Sequence, residues 1–107
     1  MENTRDRLIA IIHRHYRKYR PDHVPNQLNR CSAWYSDYEY DEVENLSYRV
    51  LQSYNTPVAI WIPSENTVYR FGTWSNTTSQ HQHKFMRLCN AQTMVDLGSK
   101  DLYYGWR

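Results

Sequence analysis

Two histidine pairs carry the most evident chemical potential in this chain: His13 with His15, and His81 with His83. Each is an H-x-H. On a helix, side chains two residues apart point about 200° apart, so neither pair can close on one metal ion; only a strand would converge them. Cys31 and Cys89 are the only cysteines and have no C-x-x-C company. No metal site is expected, and no cofactor, since three glycines spell neither a phosphate-cradling loop nor a dinucleotide fingerprint. Serines and histidines are present, but no strand–turn–helix elbow surrounds a serine nucleophile. Paired carboxylates occur only in the acidic stretch 37–44, where repulsion and solvation outweigh catalysis. The residue types therefore point away from an enzyme.

Three stretches remain as candidate binding sites. The first is the polar corner Trp74–Ser79, with Ser75, Thr77 and Thr78 as hydroxyl donors and His81 one turn further on. A helix N-terminus there would expose unpaired N–H groups and could hold a phosphate or a partner's carboxylate; the same hydroxyls are also ordinary caps. The second is the acidic–aromatic run that includes Tyr35, Asp37, Tyr38, Glu39, Asp41 and Glu42. Such a run can imitate the charge of nucleic acid and occupy a basic groove on a partner. The third is a basic stripe, Arg7, Arg14 and Lys18 with Arg17 beside them, which could grip phosphates.

The elements that must position these residues follow from periodicity. Residues 4–20 predict an amphipathic helix capped by Asn3, with Leu8, Ile9, Ile12, Tyr16 and Tyr19 on its inner face and Pro21 ending it. Residues 33–40 alternate like an edge strand, with a short helix over 41–46 as a competitor. Residues 48–54 alternate as a second strand, and Pro57 predicts a bend or bulge. Val58–Ile62 is a continuous apolar run, the mark of a strand covered on both faces. Pro63–Asn66 is turn chemistry, and Thr67–Phe71 returns as the partner strand. A second helix is expected over about 78–90, with Ser79 and Gln82 as a capping box and His81, Phe85, Leu88 and Gln92 on one face. Residues 93–97 can form a last strand, and an aromatic tail closes the chain. The fold class is α+β: an N-terminal helix, a small antiparallel sheet with a central hairpin over 48–71, and a second helix packed on it.

Length and charge set the bounds. A chain of 107 residues makes one domain, 1–107, with a modest core. Ten tyrosines and four tryptophans supply area that aliphatic residues do not, and suit half-buried or interface positions. The formal charge of +2 is too mild to mark a nucleic-acid binder by itself. Its distribution is uneven: residues 1–30 hold seven Lys/Arg against three acids, and residues 31–50 hold one Arg against five acids. The opening MENTRDR lacks an apolar h-region, and no apolar run is long enough to span a membrane. A cytoplasmic setting with reduced thiols is expected.

Ser53-Tyr54-Asn55-Thr56-x-Val58-Ala59, then Val68-Tyr69, then Trp74-Ser75-x-Thr77-Thr78-Ser79-x-His81, resembles the signature of small uncharacterised proteins encoded by phages and prophages. The resemblance implies a mobile-element setting and a hairpin–helix core, and brings no activity with it. Gln80 stands where that group tends to carry a basic residue. Small phage proteins of this profile often block host machinery stoichiometrically, anti-CRISPR proteins among them. The expected function is thus a non-enzymatic inhibitor of a host defence effector in the bacterial cytoplasm. The alternative is a nucleic-acid-binding accessory protein using the basic face of the first helix. Two-fold self-association through an edge strand or the first helix is compatible with either.

Overall fold

The computed structural model describes residues 4–18, 24–54, 56–72 and 75–98. Asn3, Tyr19, Pro21, Trp74 and the aromatic tail lie outside the described residues. Helix α1 spans Thr4–Lys18, and helix α2 spans Asn76–Cys89. Between and after them run strands β1 (Asn26–Gln27), β2 (Ala33–Tyr35), β3 (Glu39–Asp41), β4 (Leu46–Ser53), β5 (Thr56–Ile62), β6 (Thr67–Arg70) and β7 (Thr93–Asp96). The sheet order is β1-β2-β4-β5-β6-β7, and β3 joins the lower half of the β4 edge that β2 occupies above it. All pairings are antiparallel except β6–β7, which α2 connects as a crossover.

The central hairpin forms where the apolar run predicts it. Pro63–Glu65 makes a single 3₁₀ turn, ended by Asn66 in the left-handed region (φ 51°). Asparagine tolerates that conformation at low cost. Pro57 lies opposite Gln52, and the register shifts between Leu51 and Gln52, so the expected bulge is present.

Strand alternation divides the core into two layers. Tyr48, Val50, Ile60, Ile62 and Phe71 pack with Leu8, Ile11 and Ile12 of α1. Leu51, Val58, Ala59, Trp61 and Val68 pack with Phe85 of α2 and with Leu28 and Ala33. One helix therefore covers each face of the sheet.

Three expectations are corrected. The buried side of α1 is Leu8, Ile11, Ile12 and His15, rotated from the predicted face. His15 can be buried because its Nδ1 lies 2.8 Å from the Tyr48 hydroxyl. The predicted strand 33–40 is two short strands, and residues 42–45 form a turn rather than a helix. Ser36 breaks it: its N–H donates to Val50 O and its hydroxyl accepts from Val50 N–H, both at 2.9 Å, leaving Asp37 and Tyr38 off the ladder. Helix α2 starts at Asn76, three residues before the predicted Ser79 cap, and Leu88 of the predicted inner face is exposed.

Candidate functional site

The polar corner folds inward. Ser75 is the N-cap of α2, and its hydroxyl accepts the Thr78 N–H at 3.1 Å. The Ser79 N–H goes to Ser75 O, so Ser79 sits inside the first turn and caps nothing. Thr78 and His81 then face the sheet, where Ser53 at the end of β4 meets both: Oγ is 2.9 Å from His81 Nδ1 and 3.3 Å from Thr78 Oγ1. Gln82, fully buried, donates through Nε2 to Val58 O at 3.1 Å and to Gly72 O at 3.2 Å. Tyr54 is held at φ 55°, costly for a bulky residue, with its ring 6.1 Å from His81.

This cluster looks at first like a nucleophile beside a base. Ser53 and His81 are each only 3% exposed, however, and among the described residues no carboxylate is hydrogen-bonded to the imidazole. Burial, with the nearby Lys84 charge, pushes the His81 pKa down and favours the neutral ring. The pair ties β4 to α2. Thr78 and His81, expected to touch a partner, are thus inside the protein, while Ser75 and Thr77 remain exposed.

The acidic–aromatic stretch and the basic stripe, separate in sequence, meet in space. Arg14 makes a two-bond ion pair with Asp41, Nε to Oδ1 at 2.7 Å and an Nη to Oδ2 at 2.8 Å. Arg7 Nε lies 2.7 Å from Glu44. Asp41 Oδ2 also accepts the Glu44 N–H at 2.8 Å, which shapes the β3–β4 turn. Burial alone would raise the Asp41 carboxyl; the Arg14 and Glu44 hydrogen bonds and the Arg14 charge hold it below the ordinary value. Asp41, expected to touch a partner, is therefore buried and paired within the protein, and Arg7 and Arg14 do not form an open basic stripe. Arg17 and Lys18 are exposed at the end of α1.

The exposed large side chains in and just before the β3–β4 hairpin are aromatic and aliphatic. Tyr38, Tyr40 and Val43 are 60%, 50% and 70% exposed. Tyr38 stacks on the Arg49 guanidinium, 4.0 Å from ring centroid to Cζ, and Tyr35 lies on it at 5.2 Å while packing against Phe85. Asp37 accepts from Asn26 at 2.9 Å, Glu39 is half-buried, and Glu42 is exposed. Beside Tyr40 and Val43 a cleft of about 300 Å³ opens between α1 and the hairpin, with Arg14, Lys18, Asp41 and Glu42 on its walls. Sequence reasoning missed Val43 and Arg49, gave Ser53 no contact with α2, and read Gln82 as part of a cap rather than as a buried donor. Val43 lay in the competing helix over 41–46; Gln82 shares a helix face with Thr78 and Phe85, and its reading as a capping residue hid this.

Among the described residues no three side chains are grouped to hold a metal ion, and no helix is long and apolar enough to cross a membrane. The fold and its surfaces define a small α+β domain with a helix on each face of a mostly antiparallel sheet. Residues 23–103 match the family of unknown function DUF8033, and the chain belongs to that family. Helix α1 precedes the matched span. No curated protein and no solved structure matches the chain.

Proposed function

We propose that this protein is a contact-acting, non-enzymatic binding module whose interface is the face around the β3–β4 hairpin. We further propose that it blocks a host component by stoichiometric protein–protein contact, as phage-encoded inhibitors of anti-phage defence such as CRISPR systems do. The observation that carries the contact reading is the exposure of Tyr40 and Val43 on the wall of an open cleft, with exposed Tyr38 a few residues away on the Arg49 side of the sheet. Tyrosines of this kind dominate interface energetics, and a cleft beside them can take an anchoring side chain. The internal ion pairs favour aromatic burial over imitation of nucleic acid. With Asp41 and Glu44 neutralised by Arg14 and Arg7, only Asp37, Glu39 and Glu42 of the acidic run stand outside those pairs. The same pairs remove two of the four cations on which nucleic-acid binding by α1 would depend. The host-defence setting is supported by the sequence resemblance alone.

The test is capture from a bacterial host lysate followed by reconstitution with the captured protein. A one-to-one complex should resist high salt. The triple variant Tyr38→Ala, Tyr40→Ala, Val43→Asp should weaken it by at least about tenfold, since central aromatic anchors are worth about 2 kcal/mol or more each. Recovery of nucleic acid and no protein, or a triple variant that binds as tightly as the wild type, refutes the proposal.

A further inference from the structure

Arg5, Arg7 and Arg14 of α1 are paired with acids, whereas, among the described residues, no cation of α2 is. None of the fourteen residues of α2 is acidic, and among the described residues no ion pair involves this helix. Its buried residues are Thr78, His81, Gln82 and Phe85. Diametrically opposite them run Asn76, Gln80, His83 and Arg87, all exposed. Their spacing of i, i+4, i+7 and i+11 keeps them in one narrow stripe along the helix. Lys84 flanks the stripe and reaches Cys31, with Nζ 3.1 Å from Sγ. Exposed Arg30, one residue from that contact, extends the basic edge beyond the helix.

We infer that the outward face of α2 docks in the major groove of duplex DNA. The groove is about 12 Å wide and admits a helix; α2 is about 21 Å long and lies outermost on its side of the sheet. The side chains of the stripe are those that read base edges there: the amides of Asn76 and Gln80 match adenine, and the Arg87 guanidinium matches guanine. Lys84 and Arg30 stand at the edge, where phosphates pass. An acidic protein would require only the cations. The planar amides, each carrying a donor and an acceptor, single out base edges as the complement. The stripe lies across the sheet from the cleft that Tyr40 and Val43 line, whereas Tyr38 stacks on Arg49 on the α2 side, so the Tyr40/Val43 and Lys84/Arg87 substitutions separate this inference from the protein-binding proposal.

Fluorescence anisotropy with a labelled duplex of about 20 base pairs, two helical turns, tests it. Binding should fall between about 1 and 100 µM near physiological salt and tighten at lower salt. With Arg30 and Lys84 as two phosphate cations, the affinity should drop about 12-fold between roughly 50 and 200 mM salt. The double variant Lys84→Ala, Arg87→Ala should flatten that salt dependence and weaken binding about tenfold or more, whereas Arg17→Ala, Lys18→Ala on α1 should leave it unchanged. Circular dichroism of both variants restricts the comparison to folded protein. The inference is overturned by absence of duplex binding at about 100 µM protein, by preference for a single strand of the same sequence, or by loss of binding in the α1 variant with the α2 variant unaffected.

Discussion

Replacing Arg14 by alanine should destabilise the protein more than removing its partner's charge, because the two ends of this ion pair are buried unequally. The Asp41 side chain is 6% exposed and that of Arg14 is 28% exposed. Arg14→Ala leaves a buried carboxylate with one remaining donor, the Glu44 N–H. Stranding a buried charge costs about 3–5 kcal/mol, and the open cleft beside Asp41 lets water reach it, which places the cost near 3 kcal/mol. Asp41→Asn leaves an arginine that can turn to solvent and keeps an acceptor for Glu44, so its cost is about 1–2 kcal/mol. With a urea slope of about 2 kcal/mol per molar, the midpoints should fall by about 1.5 M and by about 0.5–1 M respectively. The sign with pH is fixed by linkage. The folded Asp41 carboxyl titrates below its unfolded value, so its contribution is complete above the unfolded value and is lost as pH falls through the folded one. The gap between wild type and Arg14→Ala should therefore narrow below about pH 4. Urea titrations of both variants at neutral and acid pH decide the matter. If Arg14→Ala unfolds within about 0.5 kcal/mol of the wild type, or if Asp41→Asn is the worse variant, the pair does not hold the hairpin to α1. The cations of α1 would then be available to a partner after all.

Two further outcomes check the local structure. Ser75→Ala should cost about 1 kcal/mol by urea or thermal unfolding, as loss of an N-cap does, while Ser79→Ala should cost under about 0.5 kcal/mol; the reverse order would put the cap where the sequence alone suggests it. Burial pushes the Cys89 thiol up to about 12 against the opposing pull of Arg49, so at neutral pH an alkylating reagent should modify Cys31 faster than Cys89. Equal labelling rates in the folded protein would refute the packing of Cys89, the last residue of α2, against the core.

The hairpin was legible in the sequence because two independent signals coincide there: an unbroken apolar run needs cover on both faces, and Pro63–Asn66 leaves the chain little choice but to turn. Helix α1 was legible as a helix but not in its rotation. Counting His15 as polar selects the face through Ile9 and Tyr16; the Tyr48 hydroxyl, 33 residues away, makes the imidazole a core residue and turns the helix. The start of α2 was ambiguous because Ser75 and Ser79 are equally good caps by residue type, and only the arrival of Ser53 opposite Thr78 and His81 distinguishes them. Charge was the least legible feature. Sums over 1–30 and 31–50 suggest a molecule with a basic end and an acidic patch, yet Arg7 and Arg14 close on Glu44 and Asp41. A tally along the chain cannot anticipate cancellation between groups that meet only after folding.

The residues that carry the sequence resemblance show why a distinct motif has told so little about function. Ser53, Thr78 and His81 come from its two ends and gather in one sealed node that joins the last residue of β4 to the first turns of α2. Tyr54 takes a strained backbone conformation beside it, and Gln82 pins the same helix to β5 and to Gly72. The hydrogen-bonding capacity that made the corner attractive as an anion site is largely spent inside the protein. What such a motif specifies is therefore the docking of α2 on the sheet. Under the two proposals above, a partner would be chosen by side chains that the node leaves facing outward: Tyr40 and Val43 at the cleft with Tyr38 nearby, and Asn76, Gln80, His83 and Arg87 along α2. Both sets lie almost entirely outside the matched residues of the signature, so two chains can share the signature, keep the fold and bind different things.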